Sequence, residues 1–216
     1  MYTRRRALFI GAGGLAALSG CTELASGDEP LAREASPAAI STSTLAETGH
    51  ELDDEQTETV TEVVEADGES REVEATNHIA QYAKSIDGPD GNSVETSLFG
   101  VVSTPAFEFV GQSFNPIADA DNEEILEFAS SEFGQLDVGE EIDETTLTVL
   151  GSETTVSKFD GTARFDGQRV DVSVHVTAVD HGDDIVVGLG GYPIELEDQE
   201  EDDILTLFEG IEHPAE

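Results

Sequence analysis

The sequence predicts an α+β fold: an antiparallel β-sheet, made of a hairpin plus a C-terminal four-strand meander, covered by about three helices. Three observations lead there. Strand-like runs outnumber helix-like ones, and tight-turn signals join most of them: Asp67-Gly68, Gly151-Ser152, Asp166-Gly167 and His181-Gly182-Asp183. Val170, Val172, Val174, Val176 and Ala178 alternate with Asp171, Ser173, His175, Thr177 and Val179, the period-two pattern of a half-buried antiparallel strand. Segments of helical period carry stop and start signals at their ends. Strands in runs with helices set apart define the α+β class.

Taken in order, residues 37–48 read as a first helix, with Ser36 as cap, Pro37 at the first helical position and Gly49 as stop. Val60–Ala66 and Arg71–Tyr82 flank Asp67-Gly68 as a hairpin. Asp87 to Asn92 is a loop rich in turn formers. Leu98–Val110 reads as one or two strands interrupted by Pro105, tolerated at an edge or bulge. A second helix starts at the capping box of Asp121 and Glu124 and stops at Gly134. Its Ile125, Leu126, Phe128, Ala129 and Phe133 form one broad apolar face that needs a partner. Asp137 to Glu144 is acidic and reads as a solvated loop. The meander follows: Thr145–Leu150, Thr154–Phe165, Arg169–Asp180 and Asp184–Tyr192. A last helix is expected over 198–209, with Gly210 as its stop.

Composition narrows the chemistry. The formal net charge is −39, with 48 acidic and nine basic residues. Such a surface repels itself at low ionic strength; near 1 M salt the Debye length shrinks to roughly 3 Å and the repulsion is screened. This points to a halophilic protein. It also opposes nucleic acid as a partner, since phosphate binding needs clustered Lys and Arg. Cys21 is the only cysteine, so thiol catalysis, cysteine–zinc sites and blue-copper sites are not expected of the remainder. Neither a cofactor nor a metal site is expected.

No phosphate-cradling G-x-x-x-x-G-K-[ST], no G-x-S-x-G elbow and no H-E-x-x-H helix is present. No catalytic residue is therefore assigned. The five histidines are His50, His78, His175, His181 and His213. His175 lies on the polar side of its strand and His181 in a turn, so both read as exposed side chains rather than joint ligands. Asp119-Ala120-Asp121-Asn122-Glu123 begins like a calcium loop, but Glu124 stands where the sixth-position glycine belongs. A charged helix start is the better reading. The mixed aromatic and amide segment at 107–116 suggests one shallow ligand patch, using Gln112, Asn115 and Tyr192.

The N-terminus carries the clearest signal. Thr3-Arg4-Arg5-Arg6, an apolar run from Ala7 to Leu18 and a small-residue site at Leu18-Ser19-Gly20-Cys21 form an export signal, too short to span a membrane. Arg4 and Arg5 match a twin-arginine signal, and Leu-Ser-Gly-Cys matches the lipobox, whose cysteine carries lipid. The expected organisation is a signal peptide at 1–20, a lipidated flexible tether at 21–35 and a single acidic domain at 36–216. Removing the signal takes three arginines and no acid, deepening the charge to −42.

These features together resemble a haloarchaeal family of small lipoproteins defined only as a domain of unknown function. The resemblance is carried by the twin-arginine lipobox start, Thr48-Gly49, Gln112-Ser113-Phe114-Asn115-Pro116, the meander from Leu150 and Gly191-Tyr192-Pro193. It implies lineage and no reaction. The functional expectation is a lipid-anchored protein on the extracellular face of the cell membrane, a non-enzymatic binding or interaction module. Its partners are the membrane, through lipid on Cys21, and an envelope protein or small ligand. The alternative is an envelope hydrolase or transferase with a site built from carboxylates and histidine.

Overall fold

The computed structural model describes residues 30–215 apart from 67–68, 88–92, 107, 110–111, 114, 134–135 and 166–167. Cys21, Arg4 and Arg5 lie outside the described residues, as do the turn residues Asp67-Gly68 and Asp166-Gly167.

The strands are β1 (Leu31–Glu34), β2 (Ala39–Ile40), β3 (Glu51–Ala66), β4 (Glu69–Asp87), β5 (Ser93–Pro105), β6 (Glu108–Phe109), β7 (Gln112–Ser113), β8 (Leu136–Val149), β9 (Ser152–Phe165), β10 (Gln168–His181), β11 (Asp184–Pro193) and β12 (Ile211–Glu212). The helices are α1 (Thr42–Thr48), α2 (Asn122–Phe133) and α3 (Glu197–Glu209). Eight strands form one sheet in the order β1-β4-β5-β11-β10-β9-β8, with β3 also on β4.

This architecture corrects the expected one. The protein is mostly β, and the hairpin and the meander are parts of one large sheet rather than a meander under helices. β5 joins them, pairing antiparallel with β4 on one side and β11 on the other. The sheet is mixed, because β1 runs parallel to β4. β1 and β5 pair with separate stretches of β4, Val73–Thr76 and His78–Asp87, while β3 pairs along Glu69–Ala83. β1 and β5 thus share one edge of β4, and β3 holds the other. The β5–β11 pair joins segments far apart in sequence, so neighbouring-strand logic misses it.

Helices cover both faces. α2 sits on Phe159, Val172, Val174, Val176, Ile185 and Val187 through Ile125 and Leu126. α3 sits on the opposite face, where Ile204, Leu207 and Phe208 pack with Phe99, Val101, Val156 and Val186. β10 is therefore buried on both sides, and Ser173, His175 and Thr177 are as inaccessible as the valines. Gly188 and Gly190 of β11 make the approach of α3 possible. A Cβ at Gly188 would meet Phe208 at 2.7 Å, and one at Gly190 would meet Ile204 at 2.7 Å and Phe99 at 2.9 Å.

Three local expectations change. The first helix is shorter than 37–48: Ser41, not Ser36, accepts the Thr44 N–H at 3.2 Å, and Ala39–Ile40 pairs with β12 instead. Gly49 does end it, at φ 77°. Asp137 to Glu144 is strand, not loop, within β8. β3 likewise begins at Glu51, well before Val60. Both are edge strands, and an edge keeps its acidic side chains in water as a loop would, so composition does not separate the two. Charges and register shifts on both edges hinder pairing with other chains. The capping box of α2 holds: Asp121 Oδ1 accepts the Glu124 N–H at 2.9 Å, and Glu124 Oε2 accepts the Asp121 N–H at 3.2 Å. Within its expected apolar face, Ile125 and Leu126 are buried, while Phe128 is exposed.

Candidate functional site

The sequence has two lysines, Lys84 and Lys158, and both stand on the sheet face beneath α3. Each takes two carboxylates from that helix. Lys84 Nζ donates to Glu200 at 3.0 Å and Asp203 at 2.6 Å; Lys158 Nζ donates to Glu197 at 3.0 Å and Glu201 at 2.6 Å. Spacings of three (Glu200 and Asp203) and four (Glu197 and Glu201) each bring two acids to one side of the N-terminal half of α3 and point them down at the sheet. Burial opposes charge on both ammonium groups, but their hydrogen bonds to α3 carboxylates outweigh it and hold both pKa values above the ordinary lysine value.

Beside each lysine lies a buried polar group. Ser97 donates its hydroxyl to Glu200 Oε2 at 2.8 Å, and His50 Nε2 lies 2.9 Å from the same Ser97 oxygen. His175 Nε2 lies 3.0 Å from the Tyr192 hydroxyl. Burial is the leading influence on both imidazoles, and the neighbouring lysines act the same way. His50 is lowered from its ordinary value, and His175 falls to about 4. Burial also pushes Tyr192 up to about 12.

A serine, a histidine and a glutamate in contact invite a nucleophile reading, but their order is wrong for it. In acyl transfer the histidine stands between serine and carboxylate and takes the serine proton. Here Ser97 stands between the other two and gives its proton to Glu200. His50, Ser97 and Glu200 are each at most 3% exposed. The arrangement fastens α3 to the sheet.

The histidine reading is corrected with it: His175 is 2% exposed, because α3 covers the polar side of β10. A depressed histidine pKa has a definite sign. The unfolded chain binds a proton near 6.5 that the folded chain refuses until about 4, so stability is full above that window and is lost as pH falls through it. At about 1.4 kcal/mol per pKa unit this amounts to roughly 3 kcal/mol. Urea titrations at constant high salt should show this loss between about pH 6.5 and 4 in the wild type, and a flatter profile in His175→Asn.

Of the expected patch residues, Asn115 and Tyr192 stand apart. Asn115 Nδ2 donates to Thr104 Oγ1 and the Pro105 carbonyl, both at 3.0 Å, and Asn115 Oδ1 accepts the Ile117 N–H at 3.0 Å. Its side chain is consumed in shaping the turn after β7. Thr104 registers with Ile185; Tyr192 lies seven residues further along β11, ~24 Å away, and is 1% exposed. The Gln112 side chain lies outside the described residues.

A cleft of about 660 Å³ runs beside α2, bordered by Pro116, Ile117, Asp119 and Phe128; its Glu124 is occupied by the helix cap. The calcium-like segment thus turns the carboxylates of Asp121 and Glu124 toward backbone amides. Among the described residues, no group of three or more His, Cys, Asp or Glu is placed to hold a metal, and no helix is long and apolar enough to cross a membrane.

Lys84, Lys158, Ser97 and Glu200 were not singled out from sequence. The available signal was scarcity: two lysines among 48 acids have every chance of finding partners, and a buried lysine needs one.

No curated protein matches the chain. Two solved structures are similar at low level. A Pseudomonas aeruginosa protein of unknown function, PA94, considered a candidate regulator, superposes with a TM-score of 0.34 at 9% identity, over 66% of this chain and 89% of its own. LpqN of Mycobacterium tuberculosis, involved in cell envelope biogenesis, superposes with a TM-score of 0.35 at 9% identity, over 81% of this chain and 97% of its own. Neither likeness bears on function. Residues 37–212 match the family described as a domain of unknown function, DUF6517, and the chain belongs to that family.

Proposed function

We propose that this protein is a halophilic, lipid-anchored binding or interaction module on the extracellular face of the cell membrane. The observation that carries the proposal is the N-terminal run from Thr3-Arg4-Arg5-Arg6 to Leu18-Ser19-Gly20-Cys21, a twin-arginine export signal ending in a lipobox. Lipid on Cys21 is the membrane contact. Two acyl chains suffice for stable anchoring where one is marginal, and a mature charge near −42 is repelled by an anionic membrane. Supporting a binding rather than a catalytic role, the buried Lys, Glu, Ser and His groups beneath α3 are spent on one another. The partner is an envelope protein or a small ligand.

Cys21→Ser is expected to leave the domain folded and move it from the membrane fraction to the soluble or secreted fraction, with mass spectrometry reporting whether the signal is removed. Cys21→Ser protein cleaved after residue 20 and still membrane-bound in high salt would overturn the anchor. The binding role is tested by crosslinking and affinity capture from native membranes at multimolar salt. It fails if no reproducible partner is recovered and ligand screens are also blank.

A further inference from the structure

We infer that His181 and His213 form a proton-operated clasp that ties the C-terminal segment to the rest of the domain. Three parts of the chain meet there: the end of β10 and start of β11, the linker between β1 and β2, and the residues after β12. His181 Nδ1 and His213 Nδ1 are 2.9 Å apart. The ring centroids are 5.2 Å apart, and the difference is two imidazole radii, so the nitrogens face each other head-on. That is the geometry of a shared proton. Two metal ligands would converge on a third point instead.

The other partners settle where the protons sit. His213 Nε2 faces two acceptors, Asp184 Oδ2 at 3.2 Å and the Ser36 carbonyl at 3.2 Å, so it carries hydrogen. Asp184 Oδ2 also accepts the Ser36 N–H at 2.8 Å. In the neutral pair, His213 Nδ1 is therefore bare, and His181 must donate from Nδ1. One extra proton is tolerated, since a single hydrogen still lies between the two Nδ1 atoms. A second places two hydrogens in that gap, donor against donor and charge against charge, and the contact opens.

The charged surroundings are few. From the β10–β11 hairpin, Asp184 faces His213; Asp180 and Asp183 are exposed, as is Glu212 on the segment's own side. None of these three forms an ion pair with either ring among the described residues. The opened contact loosens the residues after β12, whose Ala215 N–H donates to the Pro37 carbonyl at 2.8 Å, while Asp184 keeps both the Ser36 N–H and its pair with His213 Nε2. The clasp stands whether or not Cys21 carries lipid.

The test uses the full chain in detergent at constant high salt, labelled with nitrogen-15. Long-range proton–nitrogen correlation spectra should show His213 as the Nε2–H tautomer and His181 as the Nδ1–H tautomer at neutral pH. On acidification the Ala215 amide should lose hydrogen-exchange protection while the Ser36 amide, held by Asp184, and the central amides of β11 keep theirs. In His181→Gln the Ala215 amide should stay protected across the same range, because a carboxamide either donates to or accepts from His213. The opposite tautomers, no loss in the wild type, the same loss in His181→Gln, or simultaneous loss in β11 would each overturn the clasp.

Discussion

Gly190→Val is expected to destabilise the domain by about 3 kcal/mol or more, the upper range for overfilling a packed core. The first added atom already lies 2.7 Å from Ile204 Cγ2 and 2.9 Å from Phe99 Cδ2, and two further methyl groups have no free volume. Ile204 is fully buried and Phe99 nearly so. Phe99 is held edge-to-face against Phe208, with centroids 4.9 Å apart. Neither ring nor helix can yield without lifting α3 from the sheet. Gly100→Ala on the neighbouring strand is the contrast: its Cβ meets only the Leu189 carbonyl at 3.9 Å, so it should be neutral or mildly stabilising by reducing unfolded-chain freedom. Urea unfolding at constant high salt compares the two. A Gly190→Val protein as stable as the wild type would show that α3 does not rest on β11 as described.

Lys84→Met should cost about 3 kcal/mol, the lower end for breaking a buried ion pair by removing one partner. The burden falls on Glu200, whose side chain is 4% exposed and, among the described residues, would keep only the Ser97 hydroxyl as a donor. Asp203 is 29% exposed and can recover water, which is why the larger figures are not expected. Adding Glu200→Gln to Lys84→Met removes the stranded charge while keeping an acceptor for Ser97, so the double variant should regain most of the loss. Glu200 is the buried partner, so the cost of stranding it should persist near 1 M salt, where surface charge effects fade. A double variant no better than Lys84→Met alone would place the loss in packing of the lysine stem rather than in charge.

What could be read in advance depended on how local the cause was. The start of α2 follows from Asp121 and Glu124, three residues apart, and both hydrogen bonds form. The turn after β8 was nearly right: the two residues with positive φ are Leu150 and Gly151, one position earlier than expected. The alternation in β10 identified a strand, yet its polar half looked wet. Serine, threonine and histidine read the same whether water or a helix lies above them. The acidic run at Asp137–Glu144 misled for a different reason: an exposed edge strand keeps its carboxylates in water just as a loop does.

The pairing under α3 was beyond any local reading. Lys84 and Glu200 are 116 positions apart, and Lys158 and Glu201 are 43 apart. The His181–His213 contact spans 32 positions and gains its proton order from Asp184 and Ser36. By itself, the amino-acid sequence determined the charge, the single cysteine, the capping box of α2, the Gly49 stop of α1 and the strand periods, because each depends on residue type or on neighbours a few positions away. Only the tertiary structure decided that β5 fuses hairpin and meander into one sheet, that helices bury both its faces, and which few cations meet which of the many acids. Those outcomes depend on long-range pairing, where burial strengthens a charge contact but no residue type names its partner.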